Sequence, residues 1–191
     1  KEIVGSQDQI AVTYGGFNKI TFNTDGKFNV KPILIKKNTI ERLNKNLLLV
    51  YTGIKRTAHD IAKGYINKLQ KSKRSHILTI LNLAMEAEKA LKENNLNDFG
   101  KLLHETWMEK KNLSNSITNS YIDDIYNKAM KNGALGGKLL GAGGGGFLLF
   151  YAPQHVQKKI IKDFKKLTTI PFNFTSEGSK IIFKNVDDKI I

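Results

Sequence analysis

Between Lys138 and Tyr151 the chain reads KLLGAGGGGFLLFY, with glycine at five of the six positions from 141 to 146. Glycine enters left-handed backbone conformations freely and lets other atoms approach main chain that a Cβ would shield. Apolar residues on both flanks, Leu139-Leu140 and Phe147 to Tyr151, hold the ends of the loop in packed structure. Bare N–H groups in such a turn can form a nest for an anion. Close packing of a second element against the same backbone explains the glycines equally well. Gly141, Gly143 and Gly146 match G-x-G-x-x-G, but the dinucleotide fingerprint needs a strand before the loop and a helix after it. Here the pattern places a helix before the loop and a strand after it. The phosphate-cradling pattern G-x-x-x-x-G-K-[ST] is absent.

The chain has 191 residues, enough for one good core or two modest domains. Hydrophobic residues make up 40% and charged residues 25%, a globular balance with no apolar run long enough to cross a membrane. The expectation from these residues is of no charged-then-apolar stretch resembling a signal peptide. With no cysteine, disulfides and thiolate metal sites are excluded, which fits a reducing cytoplasm. The net charge of +14 raises the question of a nucleic-acid partner. It comes from 28 Lys and only 3 Arg (Arg42, Arg56, Arg74), beside 18 Asn. Base and phosphate readers favour the planar fork of Arg, so this bias argues against nucleic acid and for a solvated lysine surface.

KITFN and KFNVKPI flank Thr24-Asp25-Gly26 as a hairpin, and the pattern from Phe17 to Tyr51 is strand-like. Asn46 to Thr52 (NLLLVYT) reads as a strand covered on both faces. Four helices follow. One carries Ile61, Tyr65 and Leu69 between Arg56 and Leu69. The second shows an apolar stripe of Ile77, Leu81, Ala84, Met85, Glu88 and Leu91. The third holds Phe99, Leu102, Leu103 and Trp107, and the fourth runs from Ile117 to Ala129 with Gly133 as its cap. Phe147 to Tyr151 is a strand, and Pro153 opens a helix with Val156, Ile160, Phe164 and Leu167 inward. Two further strands are expected around the Ser176 to Ser179 turn. The fold class is α+β.

GALGGKLLGAGGGGFLLFY resembles the third signature motif of the GHMP kinases, the superfamily of galactokinase, homoserine kinase, mevalonate kinase and phosphomevalonate kinase. LLHETWMEKKNLSNSITNSYIDDIY, LLLVYTGIKRTAHDI and GSQDQIAVTYGGFNKITF are similar to its D-glycero-D-manno-heptose 7-phosphate kinase branch. The similarity covers almost the whole chain in family order.

The resemblance implies the end of an N-terminal S5-like domain over 1–53 and a C-terminal domain of helices on an antiparallel sheet over 54–191, with the active site in the cleft between them. It implies transfer of the γ-phosphoryl of MgATP to the anomeric hydroxyl of a heptose 7-phosphate. Asp8, in Gly5-Ser6-Gln7-Asp8-Gln9, matches the catalytic aspartate. On the residues alone, Asp8 reads as a helix cap or turn residue. Gly141, Gly143, Gly144, Gly145 and Gly146 would line the floor, with their amides stabilising developing charge. Thr52, Arg56 and Lys138 are candidate substrate contacts, although Arg56 and Lys138 also read as surface or ion-pair residues. Trp107 is either core or a sugar platform, and His59 and His104 are structural.

The family's P-x-x-x-G-L-G-S-S-A loop does not occur in the chain. The chain also begins with Lys1 directly in structured-looking sequence. The expectation is therefore a C-terminal part, inactive alone, with the principal ATP and Mg²⁺ residues in an N-terminal half and no metal ligand here. A homodimer stays open. The alternatives are a fucokinase-like sugar 1-kinase and a catalytically silent binding module.

Overall fold

The structure, a computed structural model, describes residues 5–56 and 72–183. The segments it describes fall into two compact units, residues 34–173 and residues 5–33 with the stretch from 174 onward. The expected division at residue 53 does not coincide with these units. The strand ending at Tyr51 is bonded on both sides inside the larger sheet and cannot leave it.

In the larger unit, α2 (Lys37–Asn46) leads into β3 (Leu47–Tyr51). A helical stretch follows: α3 (Arg74–Lys92), α4 (Leu96–Lys111) and α5 (Ser120–Lys131). Then come β4 (Gly136–Leu139), β5 (Phe147–Tyr151), α6 (Gln154–Asp163) and β6 (Thr168–Ile170). The sheet order is β4-β5-β3-β6, with every neighbouring pair antiparallel. Register sets the two faces, because side chains alternate along each strand. Leu48, Val50, Leu139, Leu148 and Phe150 share the inner face and are buried with Ile122, Ile125, Tyr126 and Ala129 of α5 and with Val156 and Ile160 of α6. Capping explains where the helices begin. Asn119 accepts from the Ile122 amide at 3.0 Å, and Asn95 accepts from the Asp98 amide. Gly133, at φ 106°, closes α5 as the sequence suggests.

The smaller unit holds α1 (Gln7–Tyr14) and the hairpin of β1 (Asn18–Phe22) with β2 (Phe28–Pro32). Asp25-Gly26 forms its turn, with Gly26 at φ 83° and the Lys27 amide bonded to Asp25 Oδ1 at 3.0 Å.

Four local expectations are corrected. Residues 37–46 are a helix rather than strand-like: α2 buries only Thr39 and Leu43, too few apolar contacts for a periodic signal. In α3 the expected stripe is not the packed face, since Ile77, Leu81, Ala84 and Met85 are exposed. Of that stripe only Leu91 is buried; Leu83 and Ala90 are buried beside it, and Ile80 packs on the core. The chain enters the glycine loop from strand β4, not from a helix. Residues 171–183 form no strand; those around Thr175 to Ser179 lie against the end of α1 through single backbone bonds such as Ser179 N–H to Thr13 O at 3.1 Å. The expected helix from Arg56 to Leu69, and His59 with it, lies almost wholly outside the described residues.

Helix α4 approaches β4 at bare backbone. A Cβ on Gly136 would sit 1.9 Å from the Gly100 carbonyl oxygen and 2.9 Å from the His104 amide nitrogen. Both are main-chain atoms that cannot swing aside, so Gly136→Ala must push α4 off the sheet. The expected cost is about 3 kcal/mol, read as a lower midpoint in denaturant with an unchanged m-value. A midpoint within experimental error of wild type would contradict the packing described.

Candidate functional site

The glycine loop is the connection of an antiparallel hairpin. β4 and β5 pair from Gly136↔Tyr151 to Leu139↔Leu148, and the Leu140 amide extends the ladder to Phe147 O at 2.9 Å. Gly141, Gly143, Gly144 and Gly146 then take φ values of 67°, 116°, 73° and 95°, a left-handed region in which other residues are strained. Gly145 does not, but a Cβ there would meet Ile54 Cγ2 at 2.7 Å and Ile54 O at 2.8 Å. The loop is pinned from two directions. Gly144 N–H donates to Ile117 O at 2.8 Å, and Gly146 N–H donates to Ile54 O at 3.0 Å. Those two amides are therefore engaged. The amides of Gly141, Gly143 and Gly145 make no bond among the described residues.

Thr52 is buried just beyond β3. Its hydroxyl donates to Gly146 O at 2.8 Å, its amide donates to the same oxygen at 2.9 Å, and its Oγ1 accepts from Ile54 N–H at 3.3 Å. The hydroxyl thus fixes the end of the loop.

Three cations converge on the start of the loop. Arg56 brings Nη2 to 2.8 Å from where a Gly141 Cβ would stand, so only glycine admits it. Its Nε is buried and has no partner. Lys110, near the end of α4, donates from Nζ to Leu139 O at 3.3 Å and to Gly141 O. Lys138 lies on β4 within the same group. Burial, then repulsion from Lys138 and Arg56, pushes the Lys110 ammonium down to about 7. Burial also lowers Lys138. None of the three pairs with a carboxylate among the described residues. Desolvated positive charge without a counter-ion is costly, and it is the arrangement an anion relieves.

Arg56, Lys138, Thr52 and the five glycines are thus gathered around one hairpin. Asp8 belongs to the smaller unit, exposed in the first turn of α1. Trp107 is core: it is fully buried against Tyr126, with Lys111 5.9 Å from its ring centroid. His104 is structural, its Nδ1 2.8 Å from the Tyr126 hydroxyl, which donates to Gly137 O at 3.2 Å. Sequence reasoning places Lys110 with Trp107 on the helix resembling the heptose-kinase branch but gives it no role. Its only signal is a place one turn after Trp107 near a helix end, where lysines are common.

Residues 87–167 match the family model described as GHMP kinases C terminal. The chain is 34% identical over 179 residues to the D-glycero-alpha-D-manno-heptose 7-phosphate kinase of Campylobacter jejuni, covering 92% of this chain and 53% of that protein. It is 30% identical over 164 residues to the bifunctional fucokinase/GDP-fucose pyrophosphorylase of Arabidopsis thaliana, covering 83% of this chain and 15% of that protein. A crystal structure of a D-glycero-D-manno-heptose 1-phosphate kinase from Bacteroides thetaiotaomicron superposes with a TM-score of 0.67 over 94% of this chain and 50% of that one; at 23% identity this shows a shared fold. The chain spans about half the length of the heptose 7-phosphate kinase it matches.

The lowered Lys110 has a consequence for stability. Between about pH 7 and its ordinary value of 10.5, the unfolded chain holds a proton there that the folded chain releases, so stability rises with pH across that window. Lys138 acts in the same direction. Tyr126, raised by burial, acts in the opposite direction only above its ordinary value of 10.0. Melting temperature should therefore climb from about pH 7 to about pH 9.5, and Lys110→Met should flatten the climb. An identical slope in the variant, followed by calorimetry, would show that the ammonium is not buried as described.

Proposed function

We propose that this chain is the C-terminal part of a GHMP kinase and that its full-length gene product is a sugar 1-kinase. The substrate is a heptose 7-phosphate. The anomeric oxygen attacks the γ-phosphorus of ATP, the bond from that phosphorus to the β,γ-bridging oxygen breaks, and ADP leaves. The hydroxyl proton passes to a base, a role we give to Asp8. The observation that carries the reading is the glycine hairpin, pinned by Ile117 and Ile54 and bordered by unpaired cations.

The division of labour follows from the geometry. The free amides of Gly141, Gly143 and Gly145 are the loop's available donors for negative charge. Arg56 and Lys138 supply charge, and Thr52 acts as a positioning residue by holding Gly146. The reaction belongs in the cytoplasm and feeds nucleotide-activated heptose for surface polysaccharide. The similarity to the plant fucokinase makes an unphosphorylated sugar the second reading.

The test is phosphorylation by the full-length gene product of a panel of sugars and sugar 7-phosphates, with MgATP and product identification by NMR. Heptose 7-phosphate should be converted to its 1,7-bisphosphate. Asp8→Asn should lower kcat by about 10²- to 10⁴-fold with the fold intact. Near-normal kcat in that variant would remove Asp8 from the mechanism. Turnover of free fucose in preference to heptose 7-phosphate would favour the second reading.

A further inference from the structure

Lys110 is the group that the family comparison leaves without a role and the structure places at the hairpin. It rises from α4, Lys138 comes from β4, and Arg56 comes from the segment after β3. Three elements that are separate in sequence thus deliver three cations to one end of one loop. Gly141 is the meeting point of two of them, with its carbonyl taken by Lys110 and its missing side chain making room for the Arg56 guanidinium, while Lys138 lies close enough to Lys110 to repel it. If these side chains served only to hold the fold, each should find an acceptor or a carboxylate. Lys110 does find two carbonyls. The Lys138 side chain makes no hydrogen bond among the described residues, and Arg56 keeps a buried Nε with no acceptor. A buried guanidinium N–H without a partner is a donor still to be matched.

We propose that Arg56, Lys110 and Lys138 form a receptor for the phosphate monoester that the acceptor sugar already carries, and that Lys110 sets the preference for phosphorylated over free sugars. This rests on the kinase reading above. A monoester dianion presents up to three terminal oxygens, and the planar fork of Arg56 with two ammonium groups supplies donors for all of them. Charge balance points to the acceptor's phosphate rather than to the nucleotide. Nucleotide bound as its Mg²⁺ complex would bring a divalent cation that offsets much of its own charge. A sugar phosphate arrives with no metal, so the protein itself must supply the positive charge. Binding also removes the mutual repulsion of the three cations. An unphosphorylated sugar leaves that repulsion standing and loses binding for that reason, which is how a site built for a polar group rejects an analogue that lacks it.

The experiment has two arms on the full-length gene product. In the first, inorganic phosphate is titrated by calorimetry into wild type, Lys110→Met and Lys138→Met. In the second, kcat/KM is measured for heptose 7-phosphate and for the unphosphorylated heptose, and their ratio is compared across the same proteins. Each variant should weaken phosphate binding at least about tenfold and lower the ratio at least about tenfold, the scale of losing one charged hydrogen-bonding partner. Lys110→Arg should recover part of both. Folded variants that bind phosphate as wild type does, that keep the ratio, or that change only the KM for ATP would overturn the proposal. If Lys110→Met fails to fold because its ties to Leu139 and Gly141 are lost, Lys138→Met, which breaks no such tie, decides the matter. A wild type that phosphorylates neither sugar would overturn the kinase reading. The phosphate titration would then still decide whether the three cations form a receptor.

Discussion

Two main-chain hydrogen bonds hold the loop on which this structure turns: Gly144 N–H to Ile117 O and Gly146 N–H to Ile54 O. Each contributes only about 1 kcal/mol net, yet leaving such donors buried and unmatched would cost up to about 3 kcal/mol. The bonds also fix position. One ties the loop to the segment before α5, and the other ties it to the segment after β3. Arg56 lies two residues beyond Ile54 and shares that segment's placement. Lys110 reaches the same loop from α4, which is set against β4 by the contact of Gly100 with Gly136. The cation group is therefore a consequence of how the backbone is pinned, and it would disperse if the loop were free.

That group stands against stability. Two ammonium groups with lowered pKa values and a guanidinium with an unmatched N–H are features that folding alone would select against. The carbonyls of Leu139 and Gly141 offset part of the cost for Lys110 and none of it for the others. Sites that carry such strain are where a chain gives up stability for binding or chemistry. Elsewhere in the larger unit Trp107 Nε1 is also buried without a partner, but it carries no charge; the inner sheet face is apolar, and α4 and α5 carry side-chain caps at their starts.

Much of the architecture was legible because its signals are local. The Asp25-Gly26 turn, the buried run Leu47 to Tyr51, the Gly133 cap and the helix after Pro153 each follow from the conformational demands of a few residues. The misses are non-local. β4 reads Gly136-Gly137-Lys138-Leu139, which no propensity marks as a strand; it is extended because β5 pairs with it. In α3 the expected stripe holds only at Leu91, and the burial of Leu83 and Ala90 rather than Leu81 and Met85 follows from packing against α4. The role of Lys110 was invisible for the same reason, since nothing in its own turn of helix shows that a loop thirty-one residues later ends beside it.

The two explanations for the glycine run, a nest for an anion and a spacer for packing, turn out to apply to different residues. Gly136, Gly137, Gly143 and Gly145 are packing glycines, since a Cβ on each would strike main chain of α4, β5, the Ile117 segment or Ile54. Gly141 and Gly146 face little besides Arg56, whose Nη2 lies 2.8 Å and 4.0 Å from their would-be Cβ positions. The first set cannot change without moving an element of the fold. The second set could accept a Cβ only by displacing a flexible cation and straining the backbone. Packing glycines thus place the loop, and the remaining two keep its open side clear for charge. A chain needing only a tight hairpin would use the second pair for its positive φ but would have no reason to bring Arg56 beside it, and a chain needing only bare backbone for a ligand would have no use for the first.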